Sequence, residues 1–167
     1  MTKRVRRIAQ AAVIAAMYVG LTHMQNLLFP GSATWAVQFR VSEALCVLAL
    51  FTPSAISGLS IGCFLFNLTY AGALPLDPIV GTLATFCSVG SMYLLRKRPI
   101  PAMLMPALFN AFLVGWELTL YLGGGFWLNA CYVALGETAV LLTLGKLLWG
   151  VIKKHNLQNR LFGDCAH

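Results

Sequence analysis

The sequence predicts an all-α membrane protein, a bundle of six transmembrane helices with both termini cytoplasmic. Three observations carry this expectation. First, 59% of the 167 residues are hydrophobic and only 10% are charged, against about 25% charged in an average soluble domain. The mean hydropathy is +0.76. So few charges cannot cover a water-facing surface, which excludes an ordinary soluble enzyme, a disordered region and a secreted disulfide scaffold. Second, the apolar residues run continuously, without the short alternating segments of a transmembrane barrel. Third, the basic residues fall in short runs between apolar stretches, in a pattern that one topology explains.

A bilayer core about 30 Å thick needs about 20 helical residues at about 1.5 Å each. The first candidate span, residues 8–29, follows a basic start and ends at Pro30-Gly31. That start resembles a signal peptide, but the apolar stretch is too long and lacks a small-residue cleavage site, so it reads as a retained span. The second, residues 41–51, is short and stops at Thr52-Pro53. The third covers residues 54–70 and leads into the turn-rich segment Ala71 to Pro78. The fourth, residues 78–95, is opened by Asp77 as N-cap and Pro78 as first helical residue. The fifth, residues 101–122, ends at Gly123-Gly124-Gly125, and the sixth covers residues 126–152. No linker divides the chain, so residues 1–167 read as a single integral membrane domain of the cell membrane.

With the N-terminus inside, Lys3, Arg4, Arg6, Arg7, Arg96, Lys97, Arg98, Lys146, Lys153, Lys154 and Arg160 all face the cytoplasm, and Arg40 alone falls outside. The net charge of +7 therefore reports topology, not nucleic-acid binding, because it forms no basic face on a folded domain. The acidic residues distribute oppositely. Glu43, Asp77, Glu117 and Glu137 lie in the outer half or near the midplane, and only Asp164 is cytoplasmic. Ionisable groups inside a span are expensive, so they face a cavity, pair, or bind something. The outer half is where the chemistry is expected.

Asn110, Glu117 and Tyr121 are spaced by seven and four residues, which puts them on one face of span five. That stripe is either an interhelical hydrogen-bond ladder or a ligand-lining face. In span six, Phe126, Ala130, Val133 and Glu137 share a face, and Glu137 either pairs internally or meets a ligand. Arg40 and Glu43 are three apart, which fits a local ion pair as well as ligand contact. Asn67, Asn129 and Gln38 can each supply polar contacts. Trp35, Phe39, Trp116 and Trp127 lie in outer segments, where aromatic residues form an interfacial belt or a stacking surface. Small residues four apart in span one, Ala11 and Ala15, and also Ala12, Ala16 and Gly20, make a strip for close helix approach, either within the bundle or to a partner.

Several chemistries lack their signatures. No GxxxxGK[ST] loop, HExxH or GxSxG occurs, so neither nucleotide hydrolysis nor a metalloprotease or serine-hydrolase site is expected. The cysteines Cys46, Cys63, Cys87, Cys131 and Cys165 form no CxxC, and four of them read as small hydrophobes in apolar runs. No enzyme activity, metal or cofactor is expected.

A small six-span protein with an alanine strip in span one resembles the substrate-binding S components of energy-coupling-factor (ECF) transporters. Gln38-Phe39-Arg40-Val41-Ser42-Glu43-Ala44-Leu45 resembles the most characteristic stretch of the QueT family, the queuosine-precursor S components. The segment from Asn110 to Glu117-Leu118-Thr119 is similar to the same family, as is Phe126-Trp127-Leu128-Asn129 continuing to Ala134-Leu135-Gly136-Glu137. The resemblance covers almost the whole chain up to Lys154. It implies high-affinity uptake of a deazaguanine base, in the aminomethyl or cyano form or as queuine, across the lipid bilayer. It implies docking on a membrane coupling protein driven by two ATPase subunits, through a span-one strip that maps to Ala12 and Ala16, or to Ala11 and Ala15. The residues expected to bind substrate are Arg40, Glu43, Asn67, Asn110, Glu117, Trp127, Asn129 and Glu137. An S component for another small vitamin and a structural membrane protein with internally paired glutamates are the competing expectations.

Overall fold

The computed structural model describes residues 2–30, 32 and 39–162, with Arg160 as backbone only. Trp35 and Gln38, named above as candidates, lie outside the described residues, as do Asp164, Cys165 and His167. Helices joined by short turns and loops make up the described residues, which contain no strand. In chain order they form α1 (Lys3–Leu28), a 3₁₀ helix (Val41–Leu50), α2 (Ser54–Thr69), α3 (Asp77–Leu94), a short α4 (Pro99–Met103), α5 (Met105–Leu122) and α6 (Phe126–Val140). A π turn (Leu141–Gly145) then leads to α7 (Lys146–Lys154), and a second π turn (Gln158–Phe162) follows. Three continuous stretches, Lys3–Leu28, Pro99–Leu122 and Phe126–Lys154, are long and apolar enough to cross a membrane, and Val41–Leu50 and Ser54–Thr69 are shorter apolar helices.

Three departures from the sequence expectation have local causes. The second span is a ten-residue 3₁₀ helix, long for its kind. At about 2.0 Å per residue it reaches about 20 Å, where an α-helix of equal length reaches about 15 Å. Every residue from Ser42 to Leu50 is buried, so surrounding helices hold the tighter winding in place. The fifth span is interrupted at Leu104, which ends α4 and opens α5. Pro106 lacks an N–H for the preceding turn, and its ring crowds the carbonyl four residues back. Asp77 does not cap α3 with its side chain. Its carboxylate accepts the Leu74 N–H at 2.6 Å, folding the preceding loop onto the helix start.

Neighbouring helices pack in the order α1–α2–α3–α5–α6, and the 3₁₀ helix touches α1, α2, α3, α6, α7 and the first π turn. It is the centre of the bundle. The main core runs from Ile14 and Tyr18 of α1 through Leu45 to Phe51 and on to Leu59, Phe66, Met92 and Leu141. A smaller cluster joins α3, α5 and α6 through Ala84, Val114, Leu118 and Val133.

Close backbone approach sets two of the interfaces. A Cβ on Gly58 of α2 would stand 2.7 Å from the Ala11 carbonyl oxygen, and one on Gly115 of α5 would stand 2.9 Å from Cα of Ala130. Small residues at such crossings gain packing that a larger side chain forbids. Gly90 of α3, by contrast, has open space around it. Gly58→Ala should therefore lose about 1–3 kcal/mol through overpacking, while Gly90→Ala should hold or gain stability from helix propensity. Thermal unfolding in detergent reads both. Equal midpoints for the two variants would contradict the close α1–α2 crossing.

Candidate functional site

The ionisable residues of the spans converge. Glu43 sits in the first turn of the 3₁₀ helix and is buried. Its Oε1 accepts the Tyr18 hydroxyl at 2.8 Å, and its Oε2 accepts the Cys46 thiol at 3.1 Å. Residues three apart eclipse on a 3₁₀ helix, which brings Cys46 directly beneath Glu43. Arg40 precedes this helix in extended conformation and is also buried, with its guanidinium carbon 5.9 Å from the centroid of the Phe66 ring. Glu137 of α6 accepts the Asn110 side-chain amide of α5 on Oε1 at 2.9 Å. Glu117, two turns further along the same face of α5, is fully buried.

These groups share one electrostatic environment. Arg40 interacts with Glu43, Asp77, Glu117 and Glu137, as well as with Tyr18 and Cys63. Glu137 feels Glu43, and Glu117 faces Asp77. Four buried carboxyl groups thus lie within electrostatic reach of one guanidinium, and no other Lys or Arg is buried among the described residues. Such an excess of buried negative charge demands compensation by protons or by a cation.

The hydrogen-bond inventory points the same way. Among the described residues, Oε2 of Glu137 and Oδ1 of Asn67 are buried without a donor, and the buried Glu117 oxygens meet only the Asp77 carboxyl group. Asp77 stands within hydrogen-bond reach of Glu117, so the two carboxyl groups need a shared proton or a cation between them. Asn67 spends its amide nitrogen on the Asp77 carbonyl at 3.0 Å and on Cys63 Sγ at 3.5 Å, which leaves its oxygen to accept. Acceptors outnumber donors in this cluster among the described residues, while Asn26, two turns beyond Tyr18 on α1, is buried with both its amide nitrogen and its oxygen unpartnered.

Not every candidate joins this cluster. Trp127 is 71% exposed and stacks edge-on against Phe126, on the outer surface. Asn129 is buried, but its Nδ2 donates to Thr119 Oγ1 at 3.0 Å and to the Gly123 carbonyl at 3.1 Å. It fastens α6 to the end of α5 across a turn in which Gly123 and Gly124 take left-handed φ of 74° and 81°. Tyr121 emerges from the polar stripe of α5 and is exposed, because the helix ends one residue later.

Tyr18 and Asp77 belong to the cluster and were absent from the sequence-based set of binding residues. Tyr18 reads in sequence as one more apolar-span residue, and its only signal is a hydroxyl that needs a partner once buried. Asp77 reads as a helix cap, a local role that hides its contact with Glu117. Gln25 was also missed. It ties Ser32, Phe39 and Val41 to the end of α1, holding the approach to Arg40.

The four alanines of α1 divide into two strips. Ala15 is buried and Ala11 half-buried against α2, whereas Ala12 and Ala16 are exposed. All four line a groove of about 980 Å³ that continues to Pro53 and Ser54.

The family model described as QueT transporter matches residues 8–154. The Queuosine precursor transporter QueT of Lactococcus lactis subsp. cremoris (strain MG1363) is 32% identical over 147 residues, covering 80% of this chain and 85% of that protein. No solved structure matches. A buried acidic cluster within an apolar helical bundle, matched over most of its length by that model and that relative, places this chain in the QueT transporter family.

Proposed function

We propose that this chain is the substrate-binding S component of an ECF transporter for a queuosine precursor, a deazaguanine base. Both termini are cytoplasmic in this reading, because the basic residues collect at one end and the carboxylates at the other half. The observation that carries the proposal is the cluster of four buried carboxyl groups around Arg40, with acceptor oxygens on Glu117 and Glu137 lacking donors.

A deazaguanine presents a ring N–H beside an amine, two parallel donors that a carboxylate accepts as a fork. Its carbonyl needs a donor, which Arg40 or Asn110 supplies. The aminomethyl form adds an ammonium, and the facing pair Glu117 and Asp77 is the place with charge to spare. Glu43 is held by Tyr18 and Cys46, so it serves as a fixed countercharge to Arg40. The binding set of this proposal is Arg40, Glu43, Asn67, Asp77, Asn110, Glu117 and Glu137, with Asn129 and Trp127 as supports outside the pocket.

Removing one fork leaves buried donors unpaired at about 1–3 kcal/mol, or roughly 5- to 150-fold in affinity. Calorimetric titration of the aminomethyl-deazaguanine should show more than about tenfold weaker binding for Glu117→Gln and for Glu137→Gln, each still folded. If Glu43→Gln, Glu117→Gln and Glu137→Gln all bind like the parent, the carboxylates are structural and the pocket lies elsewhere.

The exposed strip of Ala12 and Ala16 is the proposed docking surface for the membrane coupling protein, which carries two ATPase subunits. Ala11 and Ala15 already serve the α1–α2 contact, so the two strips predict different phenotypes. Ala12→Trp with Ala16→Trp should abolish uptake and spare precursor binding by the isolated chain. Loss of binding together with uptake would place this strip in the internal packing of the bundle.

A further inference from the structure

A second cavity lies at the basic end of the bundle, where none of the clustered carboxylates reaches. It measures about 570 Å³, between the end of α3, the start of α4, α7 and the second π turn. Its volume falls within the range of about 300–1,000 Å³ typical of small-molecule sites. Tyr93, Arg96, Lys97, Trp149, Lys153 and Gln158 line it, and no acidic residue does among the described residues.

Two of the cations are held in place. The Arg96 guanidinium carbon lies 4.4 Å from the Tyr93 ring centroid, and its Nη1 donates to the Tyr93 carbonyl at 3.2 Å. The Lys153 ammonium lies 5.7 Å from the Trp149 ring centroid. A cation seated against an aromatic face keeps its remaining N–H donors for an anion. Gln158 adds the opposite requirement, since its Oε1 is buried without a donor. Three cations with no carboxylate beside them among the described residues, next to one acceptor without a described donor, suit an anion that also carries a hydroxyl. Tyrosine and tryptophan at this level fit the membrane interface, where an apolar body and a polar tip are both served.

We infer that this cavity holds the phosphate diester and free hydroxyl of a glycerol-headed anionic ligand, of which phosphatidylglycerol is the simplest membrane source. The phosphoryl oxygens take Arg96, Lys97 and Lys153, and a headgroup hydroxyl donates to Gln158 Oε1. Basic pockets between transmembrane helices hold anionic headgroups in this manner. The inference is independent of what the chain transports.

Native mass spectrometry of the detergent-purified chain tests it, with phosphatidylglycerol and phosphatidylcholine as lipids and sn-glycerol 3-phosphate as soluble competitor. One phosphatidylglycerol should be retained, at least about tenfold more tightly than phosphatidylcholine. Lys153→Gln should weaken retention about fivefold, and the combination of Arg96→Gln, Lys97→Gln and Lys153→Gln should weaken it further. Displacement by millimolar sn-glycerol 3-phosphate supports recognition of the headgroup alone, and persistence against it supports recognition of the intact lipid. Equal retention of the two lipids overturns the assignment. So does undiminished retention by Lys153→Gln and by the triple variant, with thermal midpoints unchanged. Lys153 is exposed, so its single substitution remains informative even where the triple variant unfolds.

Discussion

The structure is organised around the burial of four carboxyl groups beside one guanidinium. An isolated charge inside an apolar bundle costs several kcal/mol even after relaxation, so each of these groups needs a partner that the fold must deliver. Arg40 enters the bundle at the start of the 3₁₀ helix, on a segment that Gln25 pins to α1 through Phe39 and Val41. Glu43 is met by Tyr18 from α1, Glu137 by Asn110 from α5, and Asp77 by the backbone of its own loop. Among the described residues, buried oxygens of Glu117, Glu137 and Asn67 are left without an N–H or hydroxyl donor. In this respect the missing partners are as informative as those present.

Geometry elsewhere serves that arrangement. A ten-residue segment stands where a longer span would be usual, and its 3₁₀ winding gives it more reach per residue. On the other side the π turn of residues Leu141–Gly145 directly follows the turn that carries Glu137, and a Cβ on Gly145 would stand 3.2 Å from Val47 of the 3₁₀ helix. π turns inside helices recur at functional sites, and here one lies where the two irregular elements touch. The bundle separates its chemistry by end. Carboxylates gather on the half that opens α3 and closes α5, whereas cations with aromatic partners gather where α3 ends and α7 turns.

Much of this was legible in the sequence. Continuous apolar runs gave the helices, and Pro53, Pro78 and the glycine triplet placed several ends within a few residues. Glu43, Glu117, Glu137 and Asn110 stood out because a polar group in an apolar run has no cheap place to go. Other features were hidden for identifiable reasons. Where every residue from Ala44 to Leu50 is apolar, no periodicity separates a 3₁₀ helix from an α-helix. Tyr18 was obscured by its amphipathic character, and Asp77 by a plausible local role as cap. Asn129 looked like a ligand contact because the carbonyl of Gly123 that occupies it depends on a left-handed turn. Trp127 carried the ambiguity of any outer aromatic residue, and its exposure places it on the surface side.

The central claim is that a donor-rich, cationic deazaguanine completes the acidic cluster. The most direct measurement is a structure of the chain with the aminomethyl-deazaguanine bound. The account predicts the base among Glu43, Asn110, Glu117 and Glu137, with ligand nitrogens within hydrogen-bond distance, about 2.7–3.2 Å, of the Glu117 and Glu137 oxygens that now lack donors. A base seated away from these carboxylates, with Glu117 and Glu137 unchanged in their partners, would contradict it.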